Sequence, residues 1–342
     1  MADLFEQGAV GLQEQVINTV AELFPASEEL CIHRLLRSHA QRITDAIAIA
    51  AAGRKPLTYN RLLSQIDYVV NILNTAGIGR NDRVAVVLPD GPEMAVAFLG
   101  VAAGATCTPL NPHYRASEFD FYLSVLKANA LIVQSGMDSP AIAVAQKHSI
   151  PIIELSPRPE ADAGLFYLRG EEQPSVSHGG FAQAEHVALI LYTSGTTSRP
   201  KMVPLTHSNL LASARHIAAT LRLTAEDRCL NIMPLFHIHG LVGAVLSSMM
   251  AGSSVICTPG FDPEKFFIWL ETFRPTWYTA VPTMHQAVLS CTRANWKVPG
   301  DCSLRFIRSC SAALPPRTMQ ELERVFQVPV IEAYGMTRRP IR

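Results

Sequence analysis

Residues 191–201, LYTSGTTSRPK, set six hydroxyl side chains (Tyr192, Thr193, Ser194, Thr196, Thr197 and Ser198) around Gly195, with Arg199 and Lys201 directly after. In ordinary loops Ser and Thr mostly satisfy their own backbone. This density of hydroxyls beside two cations suits a ligand with many anionic oxygens. Backbone N–H groups and hydroxyls around one flexible residue make a concave nest for anions. Lys201 adds a point charge and Arg199 a planar fork. The inventory fits a polyphosphate. It is not the common phosphate loop: no second glycine precedes the lysine, and Met202 rather than Ser or Thr follows it. The dinucleotide fingerprint GxGxxG is absent as well.

The flanking segments decide how such a loop is held. AEHVALILY (184–192) is apolar and rich in strand formers, MVPLTH (202–207) reads as a second short strand, and HSNLLASARHIAATL (207–221) as a helix. The loop therefore joins two strands. A wider pattern surrounds it. DRVAVVLP (82–89) and DRCLNIMP (227–234) align at a shift of 145, each a polar entry, an apolar run and a stopping proline. AAGATCTP (102–109) pairs with MAGSSVICTP (250–259), and SEFDFYLSVLKANALIV (117–133) with PEKFFIWLETFRPTWYT (263–279), at nearly the same shift. Strands alternating with helical patterns imply parallel sheets covered on both faces. The expected fold is α/β, with two similar layered subdomains and mainly parallel sheets: residues 1–180, then 185–337 with the loop at 192–201. Segment 156–185, rich in Pro, Gly, Ser and charge, is expected as the linker.

Composition narrows the partners. Apolar residues are 48% of the chain and charged ones 17%, enough to build a core. Lys plus Arg equals Asp plus Glu, 29 each, so no general field attracts nucleic acid or an anionic membrane. The seven cysteines show no CxxC pair or His/Cys metal spacing and read as reduced thiols in or near the core. The opening MADLFEQGAV has two acids and no apolar run, unlike a signal peptide. LVGAVLSSMMAGSSVICTP (241–259) is interrupted by four serines and an Ala-Gly break, and reads as a buried helix and strand, not a membrane span. A cytoplasmic location is expected.

The loop is similar to the phosphate-loop signature of the adenylate-forming superfamily, which includes acyl-CoA and aryl-CoA ligases, luciferases and peptide-synthetase adenylation domains. PLFHIHG (234–240), RSCSAALPP (308–316) and EAYGMT (332–337) resemble further motifs of that family, in the same order. TWYTAVPTMHQAVL and LRFIRSCSAAL look most like the oxalate–CoA ligase branch. The resemblance implies ATP, Mg²⁺ and coenzyme A as co-substrates of a complete enzyme, and a small carboxylic acid as partner. The acid's carboxylate attacks the α-phosphorus, pyrophosphate leaves, and the acyl group passes to the thiol. It implies that Thr193, Ser194, Gly195, Thr196, Thr197, Lys201 and Thr337 meet the phosphates. Ser311, Ala312, Glu332, Ala333 and Tyr334 would surround adenine. His237, His239, His285, Arg308 and Ser309 would line the acid site, a polar set suited to a small acid such as oxalate rather than to an alkyl chain. His33, His39, His113, His148, His178, His186 and His216 are read as structural.

Some positions depart from the family's pattern. Ser198 and Met202 stand where glycines are usual, and Gly260 where relatives often carry a cation near coenzyme A. Arg338 occupies the position of a Mg²⁺-binding glutamate, and residues 338–342 form an atypical tail. The family continues past this point into a domain with a catalytic lysine. The expectation is thus an incomplete ligase that does not turn over alone. The alternatives are a non-catalytic nucleotide- or partner-binding short form, and an adenylating enzyme with a different acceptor or a fatty-acid substrate.

Overall fold

The computed structural model describes residues 31–173, 176–193, 200–294, 297–300, 302–335 and 337. In chain order the strands are β1 (Ile47–Ala50), β2 (Leu57–Thr58), β3 (Arg83–Val87), β4 (Thr106–Pro109), β5 (Ala130–Gln134), β6 (Ile152–Pro157), β7 (Phe166–Arg169), β8 (Val187–Thr193), β9 (Lys201–Thr206), β10 (Arg228–Asn231), β11 (Ser254–Cys257), β12 (Trp277–Ala280), β13 (Phe306–Cys310) and β14 (Val330–Ala333). They form two seven-stranded sheets, ordered β7-β6-β5-β3-β4-β8-β9 and β14-β13-β12-β10-β11-β1-β2. The orders match place for place. The repeated segments 82–89 and 227–234 supply β3 and β10, the central strand of each sheet.

Both halves open alike. An antiparallel strand pair ends in Leu-Thr (Leu57-Thr58, Leu205-Thr206), and the threonine caps the next helix. At Thr206 the hydroxyl accepts the Asn209 N–H while the Asn209 amide oxygen accepts the Thr206 N–H, both at 3.2 Å. The halves then exchange these openings. β1 pairs in parallel with β11 of the second sheet, and β8 with β4 of the first. Sheet membership therefore does not follow the chain boundary at 180–185. The match also breaks at β7, which returns antiparallel to β6 through a short loop within the expected linker, whereas β14 follows β13 through a helix and runs parallel.

The helices Ile32–Arg42, Tyr59–Thr75, Pro92–Gly104 and His207–Thr220, and the helical run 238–250, share one core between the two sheets. Pro92–Gly104 is apolar almost all round, as a helix covered by packing on every side must be. Two further cores cover the outer faces. Pleating sorts each strand between layers. Val84 and Val86 face the central layer and Ala85 and Val87 the outside. On β12 and β13, Trp277 and Phe306 face the centre while Tyr278, Ala280 and Ile307 face out. Among the described residues no helix is long and apolar enough to cross a membrane.

Candidate functional site

The carboxyl ends of the two central strands meet. Asp90, just after β3, accepts the backbone N–H of Leu235, just after β10, at 2.7 Å. Burial raises the Asp90 pKa, opposed by that N–H and by His113. Ligands of open α/β sheets bind outside this edge, and the second sheet holds a cleft there with a cavity volume of about 50 Å³. At roughly 10–15 Å³ per water-sized occupant, that is room for about three to five such groups.

Four segments build the cleft, one of them the stretch after β14, which contributes Gly335. The helical run 238–250 contributes Ile238, His239, Val242 and Gly243. Of these, His239, Val242 and Gly243 share one face by their spacing, and the run contains a π-helical turn at Leu241–Leu246. The helix His207–Thr220 adds Ser213 and Ile217, and the end of β13 adds Arg308, Cys310 and Ser311. Arg308 follows Phe306 onto the central face by the pleat. It is 2% exposed, and its Nη1 donates to Thr279 Oγ1 at 3.2 Å. Among the described residues no carboxylate pairs with it. Burial lowers its pKa, opposed only by the thiols of Cys310 and Cys229. An arginine nevertheless keeps its charge in a protein. A Cβ at Gly243 would stand 3.1 Å from Arg308 Nη1 and 3.3 Å from His239 Cδ2, so a side chain here would crowd the guanidinium by a few tenths of an ångström.

His239 joins this cation to the loop beyond β13. Its Nε2 lies 2.5 Å from Thr279 Oγ1 and its Nδ1 3.0 Å from Ser311 Oγ. Burial, and then Arg308, push its pKa down to about 3, so the ring is neutral at pH 7. Ser311 holds φ 77°, the left-handed region that non-glycine residues rarely adopt.

The other expected site residues fall into distinct places. His237 lies exposed where the helical run begins, its ring 4.5 Å from that of Phe236, and partial burial lowers its pKa. Ser309 and His285 do not line this cleft. The pleat that turns Arg308 inward turns Ser309 to the opposite face, where its Oγ is buried without a partner. His285 lies in the outer layer, with Nδ1 3.2 Å from the Tyr278 hydroxyl and burial lowering its pKa to about 4. Ala312 is exposed beside Ser311, and the Glu332 carboxylate accepts the Leu314 N–H at 2.7 Å, tying the 311–314 loop to β14. Ala333 pairs with Cys310, Tyr334 is 83% exposed, and Thr337 is half-buried in a turn. Thr193 and Lys201 face each other across the β8–β9 pair. Ser194, Gly195, Thr196, Thr197 and Arg338 lie outside the described residues.

Thr279, Gly243 and Asp90 were not singled out from sequence. Gly243 could have been found, because it falls four residues after His239 on one helical face. Thr279 carries no such signal, since a Thr inside a buried strand is most often structural.

A family model described as AMP-binding enzyme matches residues 36–338. An oxalate–CoA ligase of Arabidopsis thaliana is 39% identical over 313 residues, covering 89% of this chain and 60% of that protein. An oxalate–CoA ligase of Saccharomyces cerevisiae is 39% identical over 281 residues, covering 75% and 51%. Among solved structures, ATP-bound MatB from Rhodopseudomonas palustris superposes with a TM-score of 0.75 at 27% identity, covering 91% of this chain and 61% of that one. The chain thus spans between 51% and 60% of the length of these two curated relatives.

Proposed function

This chain belongs to the AMP-binding enzyme family, and from that premise we propose that it is the nucleotide- and acid-binding part of an AMP-forming acid–CoA ligase acting on a small polar acid, with oxalate the leading candidate. One observation carries the choice of acid: Arg308, buried in a cleft of about 50 Å³, has no carboxylate partner among the described residues. A buried charge without a partner is costly. A ligand carboxylate would supply the partner through a charge-assisted hydrogen bond. An alkyl chain would instead leave the guanidinium, His239 and Ser311 desolvated against methylenes. The likeness to two oxalate–CoA ligases supports the same choice.

In this reading Arg308 grips one carboxylate of the acid, and His239 and Ser311 border it. The free carboxylate attacks the α-phosphorus of ATP, the bond to the bridging oxygen breaks, and pyrophosphate leaves. The thiol of coenzyme A then gives up its proton and attacks the acyl carbon, and AMP departs. The chain's share is positioning and charge stabilisation. The hydroxyl loop 193–197 with Lys201 takes the phosphates and Thr337 the α-phosphate. The adenine lies among Ser311, Ala312, Glu332, Ala333 and the open face of Tyr334. His237 stands at the carboxylate and the thiol's approach. Among the described residues no group of three or more His, Cys, Asp or Glu side chains could hold a metal; Arg338, at the position of the family's Mg²⁺-binding glutamate, lies outside them.

Calorimetric titration of the chain in the presence of ATP tests the reading. Oxalate is expected to bind at least about tenfold more tightly than acetate, and octanoate more weakly than either. Tighter binding of octanoate than of oxalate would refute the polar-acid assignment.

A further inference from the structure

The hydrogen bonds around Thr279 have a direction. A guanidinium carries only donors, so Thr279 Oγ1 accepts from Arg308 Nη1. Thr279 is fully buried, and among the described residues the only other side-chain partner of its Oγ1 is His239 Nε2. If Nε2 carried a proton, Oγ1 would receive two donors and its own proton would be buried without an acceptor, an arrangement that folded proteins avoid. The threonine therefore donates to Nε2. A ring that accepts at Nε2 holds its proton at Nδ1, and that N–H donates to Ser311 Oγ. Having accepted, Ser311 has its own proton free to give, and it lines the cleft beside Arg308.

We propose that Thr279 is a positioning residue which, through His239, fixes the Ser311 hydroxyl as a hydrogen-bond donor toward an anionic oxygen in the cleft. The chain of four side chains starts at an obligate donor, so every later link inherits its polarity. Arg308 and Ser311 then present donors to a ligand. Such a lining selects an ionised oxyanion and opposes a group that must itself donate, such as a primary amide. The left-handed backbone at Ser311 (φ 77°) is consistent with a residue held for its aim rather than for local ease. The ligand preference rests on the acid-site reading above; the polarity of the relay does not.

Two measurements on the full chain test it. The first is ring-¹⁵N NMR on histidine-labelled protein at pH 7.5, with the His239 signals identified by their loss in His239→Gln. The expected pattern is the Nδ1–H tautomer, retained in Thr279→Ser and lost in the isosteric Thr279→Val, where Nε2 has no donor. An Nε2–H or doubly protonated His239 in the unmodified chain overturns the proposal, as does an unchanged tautomer in a folded Thr279→Val. Should the valine variant not fold, the unmodified chain and Thr279→Ser still decide. The second is the affinity for oxalate against oxamate, its monoamide. Oxalate is expected to be favoured by about tenfold, the worth of one hydrogen bond, with the ratio kept in Thr279→Ser and falling below about threefold in Thr279→Val. A ratio unaffected by the valine overturns the link to Ser311. The tautomer needs no ligand, so a wrong acid assignment and a wrong relay give different results.

Discussion

Replacing Arg308 with methionine should move affinity and stability in different directions. The guanidinium is 2% exposed and has no carboxylate partner among the described residues. Without ligand it is a buried cation held mainly by Thr279 and nearby thiols. Exchanging buried charge for an apolar side chain of similar length is often neutral or stabilising by about 1–4 kcal/mol. Loss of the Thr279 bond costs about 1 kcal/mol in return. The net expectation for the ligand-free chain therefore lies between about 1 kcal/mol lost and about 3 kcal/mol gained. At about 2.1 cal/mol/K per residue over 342 residues, 1 kcal/mol corresponds to about 1.4 °C, so Tm should fall between about 1.4 °C lower and about 4 °C higher. Binding should respond the other way. Truncating one partner of a desolvated charge pair costs about 2–5 kcal/mol, or about 30- to 4,000-fold in Kd for oxalate. Thermal melts of the ligand-free chain and calorimetry with oxalate read the two effects separately. A Tm lower by more than about 2 °C with oxalate affinity unchanged would refute the reasoning and make Arg308 a framework residue.

Other outcomes follow from the same geometry. Burial is the leading cause that lowers the pKa of His239 to about 3 and those of His39, His207 and His285 to about 4, from 6.5. The unfolded chain therefore binds these protons first, so stability is complete above about pH 6.5 and falls toward pH 4. At pH 5.5 the four together should cost on the order of 5 kcal/mol, or roughly 7 °C in Tm; equal melting at pH 7.5 and 5.5 would contradict this. Gly243→Ala adds a methyl 3.1 Å from Arg308 Nη1. It should leave Tm unchanged or slightly raised through better helix propensity while weakening oxalate binding about tenfold or more, and equal affinity would show that the guanidinium has slack. Asp90→Ala removes the acceptor of the Leu235 N–H between the two sheets. The expected loss is about 1.5–3 kcal/mol, with faster hydrogen exchange at Leu235, whereas Asp90→Asn keeps an acceptor; slow exchange in the alanine variant would count against the link.

Much of this protein could be read from one dimension. The apolar runs at 82–89 and 227–234, their shift of 145 and the small-residue helix endings predict two alike parallel sheets, and the strand orders agree. The strands on either side of the hydroxyl loop are local matters too, set by residue type and by the Thr206 cap. Such features depend on neighbours in sequence, which periodicity and capping report directly. The exchange of opening strands does not. β1 could complete either sheet as far as its own residues show, and only the shared central core decides that it joins β11. The acid cleft has the same origin. RFIRSC belongs to a strand covered on both faces, so it shows no clean alternation of polar and apolar residues to say which way Arg308 and Ser309 point. Assembly of the layers turns Arg308 toward the helical run 238–250 and Ser309 away, leaving His285 in the outer layer with Tyr278. Thr279 has meaning only there as well: a buried threonine in a strand is unremarkable until packing sets an arginine on one side of its hydroxyl and a histidine on the other.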